Sequence, residues 1–264
     1  MSRTRGDGRA PLREHLRELR RRAVLAAAGT LAAAVAGWWL YAPVFDAVQA
    51  PVLAAGERRG SDTALNFSGL ASAFDLHLKG ALFLGVLLAC PWWLYQLWAF
   101  VTPGLTGRER RWAVGFLGAA VPLFAGGVAL AWWALPNAVR MLTAFTPDGA
   151  ANFIDAQSYL SFVMRLALAF GIAFVLPVLM AGLGLAGVVR GSTWLGGWRW
   201  AVIANFVFAA VMTPTPDAVT MLAVAVPMCA LYFAAVAVCL AHDRRLDARR
   251  AALLGASGDR SIGS

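Results

Sequence analysis

Long apolar runs separated by short charged turns decide what this chain can fold into. Six such stretches recur along its 264 residues, at about 23–44, 80–101, 113–135, 159–188, 198–212 and 218–241. Crossing a hydrocarbon core of about 30 Å takes roughly 20 apolar helical residues, and most of the runs have them. Lipid offers no water to the backbone, so each run must satisfy its own N–H and C=O groups as a helix. The expected fold is therefore an all-α, polytopic membrane bundle of six transmembrane helices. Composition agrees, with 60% hydrophobic and only 14% charged residues. We expect one membrane domain over residues 11–242, a disordered basic tail over 1–10 and a charged cytoplasmic tail over 243–264.

The charges lie at the span ends. Residues 1–22 carry eight arginines. From Pro11 a short amphipathic helix is expected, with Leu12, Leu16 and Leu19 on one face, lying on the membrane surface. Glu18 stands one turn before Arg21 and Arg22, and its plain reading is an intrahelical ion pair. The segment from Arg20 through the alanine-rich start of the first run is like a cleavable signal peptide. The run continues through Trp38, Trp39 and Tyr41, however, which reads as an interfacial aromatic belt on a retained helix. Phe45 to Lys79 reads as a polar excursion. The stretch Tyr95–Arg111 reads as an exit, a Pro103-Gly104 turn and a re-entry, with Glu109 the one carboxylate among Arg108, Arg110 and Arg111. The fifth run spans about 20 Å as a helix, less than the core. Thr213-Pro214-Thr215-Pro216-Asp217 ends it with a hard turn. Counting Lys and Arg gives eighteen on the side of both termini and five on the other, which places both termini in the cytoplasm and the chain in the cell membrane.

Several functions are excluded. The formal charge of +9 is spread over span ends, where basic residues set orientation and touch anionic lipid, so nucleic acid is not an expected partner. No phosphate-cradling glycine loop and no HExxH motif occurs. His15, His77 and His242 lie far apart, so no nucleophile–histidine set can be assembled, and no enzyme, metal or cofactor is expected. Cys90, Cys229 and Cys239 sit inside apolar runs at spacings unlike any metal site and read as small buried hydrophobes. The central thirds of the runs hold no ionisable residue, which counts against a self-contained pump. A small-molecule transporter would want a midplane polar site and an inverted repeat. The WWLY at 38–41 and again at 92–95 is better read as two aromatic belts than as such a repeat. A membrane scaffold without a ligand is the other alternative.

The sequence resembles the TatC family, the multi-spanning receptor subunit of the twin-arginine protein translocase. The resemblance rests on His15-Leu16-Arg17-Glu18-Leu19-Arg20; on Pro91, Tyr95–Phe100, Pro103-Gly104-Leu105 and Glu109-Arg110-Arg111; on Ser158–Val163, Phe170-Gly171, Phe174 and Pro177; and on Thr213-Pro214, Pro216-Asp217 and Pro227-Met228. It covers roughly residues 12–242. It implies a cupped six-helix bundle whose last two helices are short. It implies binding of twin-arginine signal peptides of folded proteins at the cytoplasmic face, single-span TatA- and TatB-type partners in an oligomeric complex, and transport driven by the protonmotive force. By position, the family's acidic binding residues are Glu18 and Glu109. Planar guanidinium forks pair with carboxylates, which suits two carboxylates to two arginines. Leu16, Leu19, Gln96, Trp98, Phe100 and Pro103 are expected to support that interface. For Gln96, hydrogen bonding inside the bundle is the plainer reading. Asp217 reads either as an N-cap of the sixth helix or, with Thr220, as a partner contact. Two departures stand out: Val175-Leu176 replaces a glutamate that members often carry before Pro177, and Met221 replaces a usual polar residue.

Overall fold

A computed structural model describes residues 12–59, 64–67, 69, 71–101, 109–144, 153–212 and 218–262. The expected disordered tail over 1–10 lies outside them. Among these residues eight helices and two short strands follow in the order α1 (Leu12–Arg59), β1 (Ala64–Asn66), α2 (Ser72–Leu88), α3 (Cys90–Val101), α4 (Glu109–Ala144), β2 (Phe153–Asp155), α5 (Ala156–Leu185), α6 (Gly191–Gly196), α7 (Trp198–Met212) and α8 (Ala218–Ile262). The fold is the expected helical membrane bundle. Among the described residues four helices are long and apolar enough to span, within Leu16–Gly56, Gly115–Met141, Ala156–Leu185 and Met221–Ala248, and the bent α2–α3 pair passes the same test of length and composition when its two helices are taken together. At 15 residues, α7 is apolar but shorter.

The chain forms two compact units, residues 1–45 with 73–118, and residues 46–72 with 119–264. In the first unit α1 packs on α2 through small residues. A Cβ at Gly85 would meet the backbone of Ala34 at 2.7 Å, so only glycine permits the approach. Such small-residue contacts are how helices associate where lipid is as apolar as leucine. The His77 ring lies between Trp38 and Tyr41, with centroids 4.1 and 4.2 Å away. α2 and α3 meet at Ala89 with a bend of 59°. Pro91 explains it, because it lacks an N–H and its ring clashes with the carbonyl four residues back.

In the second unit α5 packs on α8, as do α6 and α7. The α5 helix starts at an Asp155 N-cap, whose side chain accepts a hydrogen bond from the Ser158 N–H at 2.8 Å. It ends in a Schellman motif. Val188 N–H donates to the Leu183 carbonyl and Gly187 N–H to that of Gly184, with Gly187 at φ 75°. The strands pair in parallel, Ala64 with Phe153, Leu65 with Ile154 and Asn66 with Asp155.

Three features depart from the sequence reading. The surface helix and the first span are one continuous helix, α1, which runs through Phe45 to Arg59 instead of giving way to a polar excursion. Val48, Val52 and Ala55 lie at i, i+4 and i+7 and are buried, so packing holds this stretch helical. The charged C-terminal segment, for which no secondary structure was expected, continues α8 as a helix to Ile262. The two strands are an addition to an otherwise helical chain.

Candidate ligand site at the head of helix α1

The first turns of α1 divide their side chains between two faces. Glu18, Arg22, Leu25 and Gly29 follow one another at helical spacing and face α3. Trp92 of α3 donates its Nε1–H to the Leu25 carbonyl at 2.8 Å, and a Cβ at Gly29 would strike the Trp92 ring. The other face, Arg17, Arg20, Arg21 and Val24, lines an open depression of about 640 Å³ together with Glu14 and with Glu18 and Leu25 at its edge. Leu16 and Leu19 are also exposed, at 61% and 42%.

Glu18 makes the ion pair read from its spacing, and Arg22 is the partner: Arg22 Nε donates to Glu18 Oε1 at 2.6 Å. The pair is partly buried, with side-chain exposures of 35% for Glu18 and 26% for Arg22. Arg22 then reaches further, and its Nη1 donates to Gln96 Oε1 of α3 at 3.3 Å. Gln96 is only 4% exposed, so it serves inside the bundle. Trp98, also 4% exposed, stacks on Phe116 of α4 with centroids 4.3 Å apart and an interplanar angle of 15°. Phe100 is half-buried. The structure therefore brings Glu18, Leu16 and Leu19 to an accessible surface and places Gln96 and Trp98 behind it. Glu109 opens α4. Its side chain lies outside the described residues, as do Pro103, Asp217 and the side chain of Thr220. The contact that sequence reasoning missed is Arg22 to Gln96. No local signal points to it, because the partners are 74 residues apart.

A second cavity of about 370 Å³ lies within the other unit, between α5, α6, α7 and α8. Pro177, Met180, Trp194, Asn205, Met228 and Tyr232 contribute to it. Tyr232 donates its hydroxyl to the Trp194 carbonyl at 2.6 Å. Among the described residues no carboxylate, histidine or lysine lines this cavity. Val175, which stands where members of the resembled family often have glutamate, is buried beside it in sequence at 3% exposure. Among the described residues no cluster of His, Cys, Asp and Glu could hold a metal ion.

A bundle of long apolar helices, with charged residues gathered at the head of the first, defines a multi-span membrane protein. Residues 14–227 match the family model for the Sec-independent protein translocase protein (TatC). The TatC protein of Xylanimonas cellulosilytica is 59% identical over 243 residues, covering 92% of this chain and 88% of that one. The TatC protein of Rothia mucilaginosa is 37% identical, covering 97% of this chain and 88% of its own. A crystal structure of the twin-arginine translocase receptor TatC superimposes with a TM-score of 0.68 at 28% identity, covering 87% of this chain and 99% of that one. The chain belongs to the TatC family. It is a membrane-embedded subunit of the Sec-independent protein translocase and a component of protein transport, not an enzyme.

Proposed function

We propose that this subunit is the receptor for twin-arginine signal peptides of folded proteins. In this reading Glu18 and Glu109 each receive one guanidinium at the cytoplasmic face. The observation that carries the proposal is the Glu18 carboxylate, held in place yet 35% exposed, beside the exposed Leu16 and Leu19. An exposed ion pair contributes only about 0–1 kcal/mol, so useful affinity needs two carboxylates and apolar contact with the hydrophobic stretch of the signal. Leu16, Leu19 and Phe100 supply that contact. Gln96, Trp98 and Pro103 act by shaping the surface. The chain crosses the cell membrane six times with both termini cytoplasmic, α7 serving as a short fifth span. TatA- and TatB-type single-span subunits join it in an oligomeric complex, with Asp217 and Thr220 either capping α8 or touching a partner, and the protonmotive force drives transport. Anionic lipid meets the arginines at the span ends.

The test is crosslinking of a signal peptide to the complex, with Glu18→Ala and Glu109→Ala singly and together. Each single change is expected to weaken crosslinking and export, and the double change to abolish both. Undiminished crosslinking and export in the double variant would refute the receptor reading.

A further inference from the structure

We propose that Arg22 is a positioning residue of the receptor site: it ties Glu18 to the buried Gln96 and so presents the carboxylate ready for a guanidinium. The proposal rests on the receptor reading of Glu18. The geometry is a three-member chain. Arg22 spends its Nε–H on Glu18 Oε1 at 2.6 Å and its Nη1–H on Gln96 Oε1 at 3.3 Å. Its contact with Glu18 goes through one nitrogen to one oxygen, not through a two-bond fork. Among the described residues Oε2 of Glu18 takes no hydrogen bond, so it stays available to a ligand donor.

Each member has a separate physical reason to be there. Gln96 is 4% exposed, and a buried amide oxygen must find a donor. Arg22 is long enough to reach it from α1, and its rigid planar group can serve two acceptors along different edges, which a lysine ammonium does less well. Glu18, in turn, is a flexible side chain that would otherwise lose its freedom when the ligand arrives. Fixing it beforehand removes that cost from binding. Gln96 is buried too deeply to meet the peptide itself, and Arg22 carries the same charge as the peptide's arginines. Neither is suited to bind the signal directly, and both suit holding Glu18.

The experiment uses the full-length protein in membranes and a photo-crosslinking signal peptide in two forms, one with the arginine pair and one with lysines in its place. Variants are E18Q, R22Q, Q96L, Q96E and the double R22Q/Q96L, with crosslinking normalised to protein in the membrane. The net contribution of one ordinary hydrogen bond corresponds to a factor of about three to ten. R22Q and Q96L are each expected to weaken arginine-peptide crosslinking by about three- to tenfold and to narrow its advantage over the lysine peptide. The double variant is expected to be no weaker than the weaker single one, because both break the same chain. Q96E keeps the acceptor and is expected to retain binding. A general loss of structure would lower protein level without changing the ratio between the two peptides. If E18Q weakens crosslinking while R22Q leaves it and the ratio unchanged, Arg22 has no positioning role. Additive losses in the double variant would overturn the proposal as well. If E18Q itself has no effect, the receptor reading fails and this inference with it.

Discussion

Asp243 caps a helix 52 residues before it. Its Oδ2 accepts a hydrogen bond from the Gly191 N–H at 2.8 Å, where the N-cap residue Arg190 offers no side-chain bond of its own. Gly191 also lies so close to α8 that a Cβ would meet the Leu240 nitrogen at 2.8 Å. The carboxylate and the missing side chain together seat α6 on α8. Asp243→Ala is expected to cost about 1 kcal/mol, the usual worth of a lost cap. Asp243→Asn keeps an acceptor and is expected to lose less. Thermal unfolding of the purified protein in detergent checks the order: wild type, then Asn, then Ala.

Tyr159 makes the corresponding link from α5 to the second half of α1. Its hydroxyl is buried and donates to the Val48 carbonyl at 2.8 Å. Replacing it by phenylalanine removes one donor and leaves the ring's packing intact. Tyr159→Phe is therefore expected to destabilise by about 1 kcal/mol. Tyr159→Leu, which also loses ring contacts, is expected to cost more. Equal melting temperatures for Phe and wild type would show that the bond contributes nothing net.

Two glycines in the first unit predict opposite outcomes. At Gly85 a Cβ would lie 2.7 Å from Ala34 backbone atoms, which cannot move aside as a side chain would. Gly85→Val must push α1 and α2 apart, and the variant is expected not to accumulate in the membrane. Gly118 has nothing within 4 Å of its Cβ position. Gly118→Ala is expected to be neutral or to stabilise by up to about 1 kcal/mol, since alanine favours helix over glycine. Membrane-protein levels and detergent melting of the two variants provide the check.

The sequence made the helices legible because hydrophobic length is a local property. The ends were harder to place because they depend on partners. The extension of α1 past Phe45 rests on burial of Val48 and Val52, at 3% and 0% exposure, against residues far along the chain. A strand of three residues, such as Ala64–Asn66, is too short to show a period, and its parallel partner starts at Phe153. The site divides the same way. The exposure of Leu16 and Leu19 and the pairing of Glu18 with Arg22 follow from helical spacing within a single turn or two. The Arg22–Gln96 bond joins two helices, and no pattern within either of them encodes it.

The contrast between Trp98 and the two leucines separates structure from binding. Trp98 is 4% exposed and stacked on Phe116, whereas Leu16 and Leu19 are 61% and 42% exposed. Trp98→Ala opens a cavity in the first unit and is expected to destabilise by about 3–5 kcal/mol, enough to lower protein level or melting temperature sharply. Leu16→Ala and Leu19→Ala leave the packing untouched, so their stability is expected to stay within about 0.5 kcal/mol of wild type. If the exposed leucines meet the hydrophobic stretch of a signal peptide, each burial is worth about 1.5–3 kcal/mol at most, and crosslinking falls severalfold in these variants while melting does not change. A loss of stability in the leucine variants equal to that of Trp98→Ala would instead assign them to the fold. Normal crosslinking by the double leucine variant would remove them from the site and leave its apolar contact to Phe100.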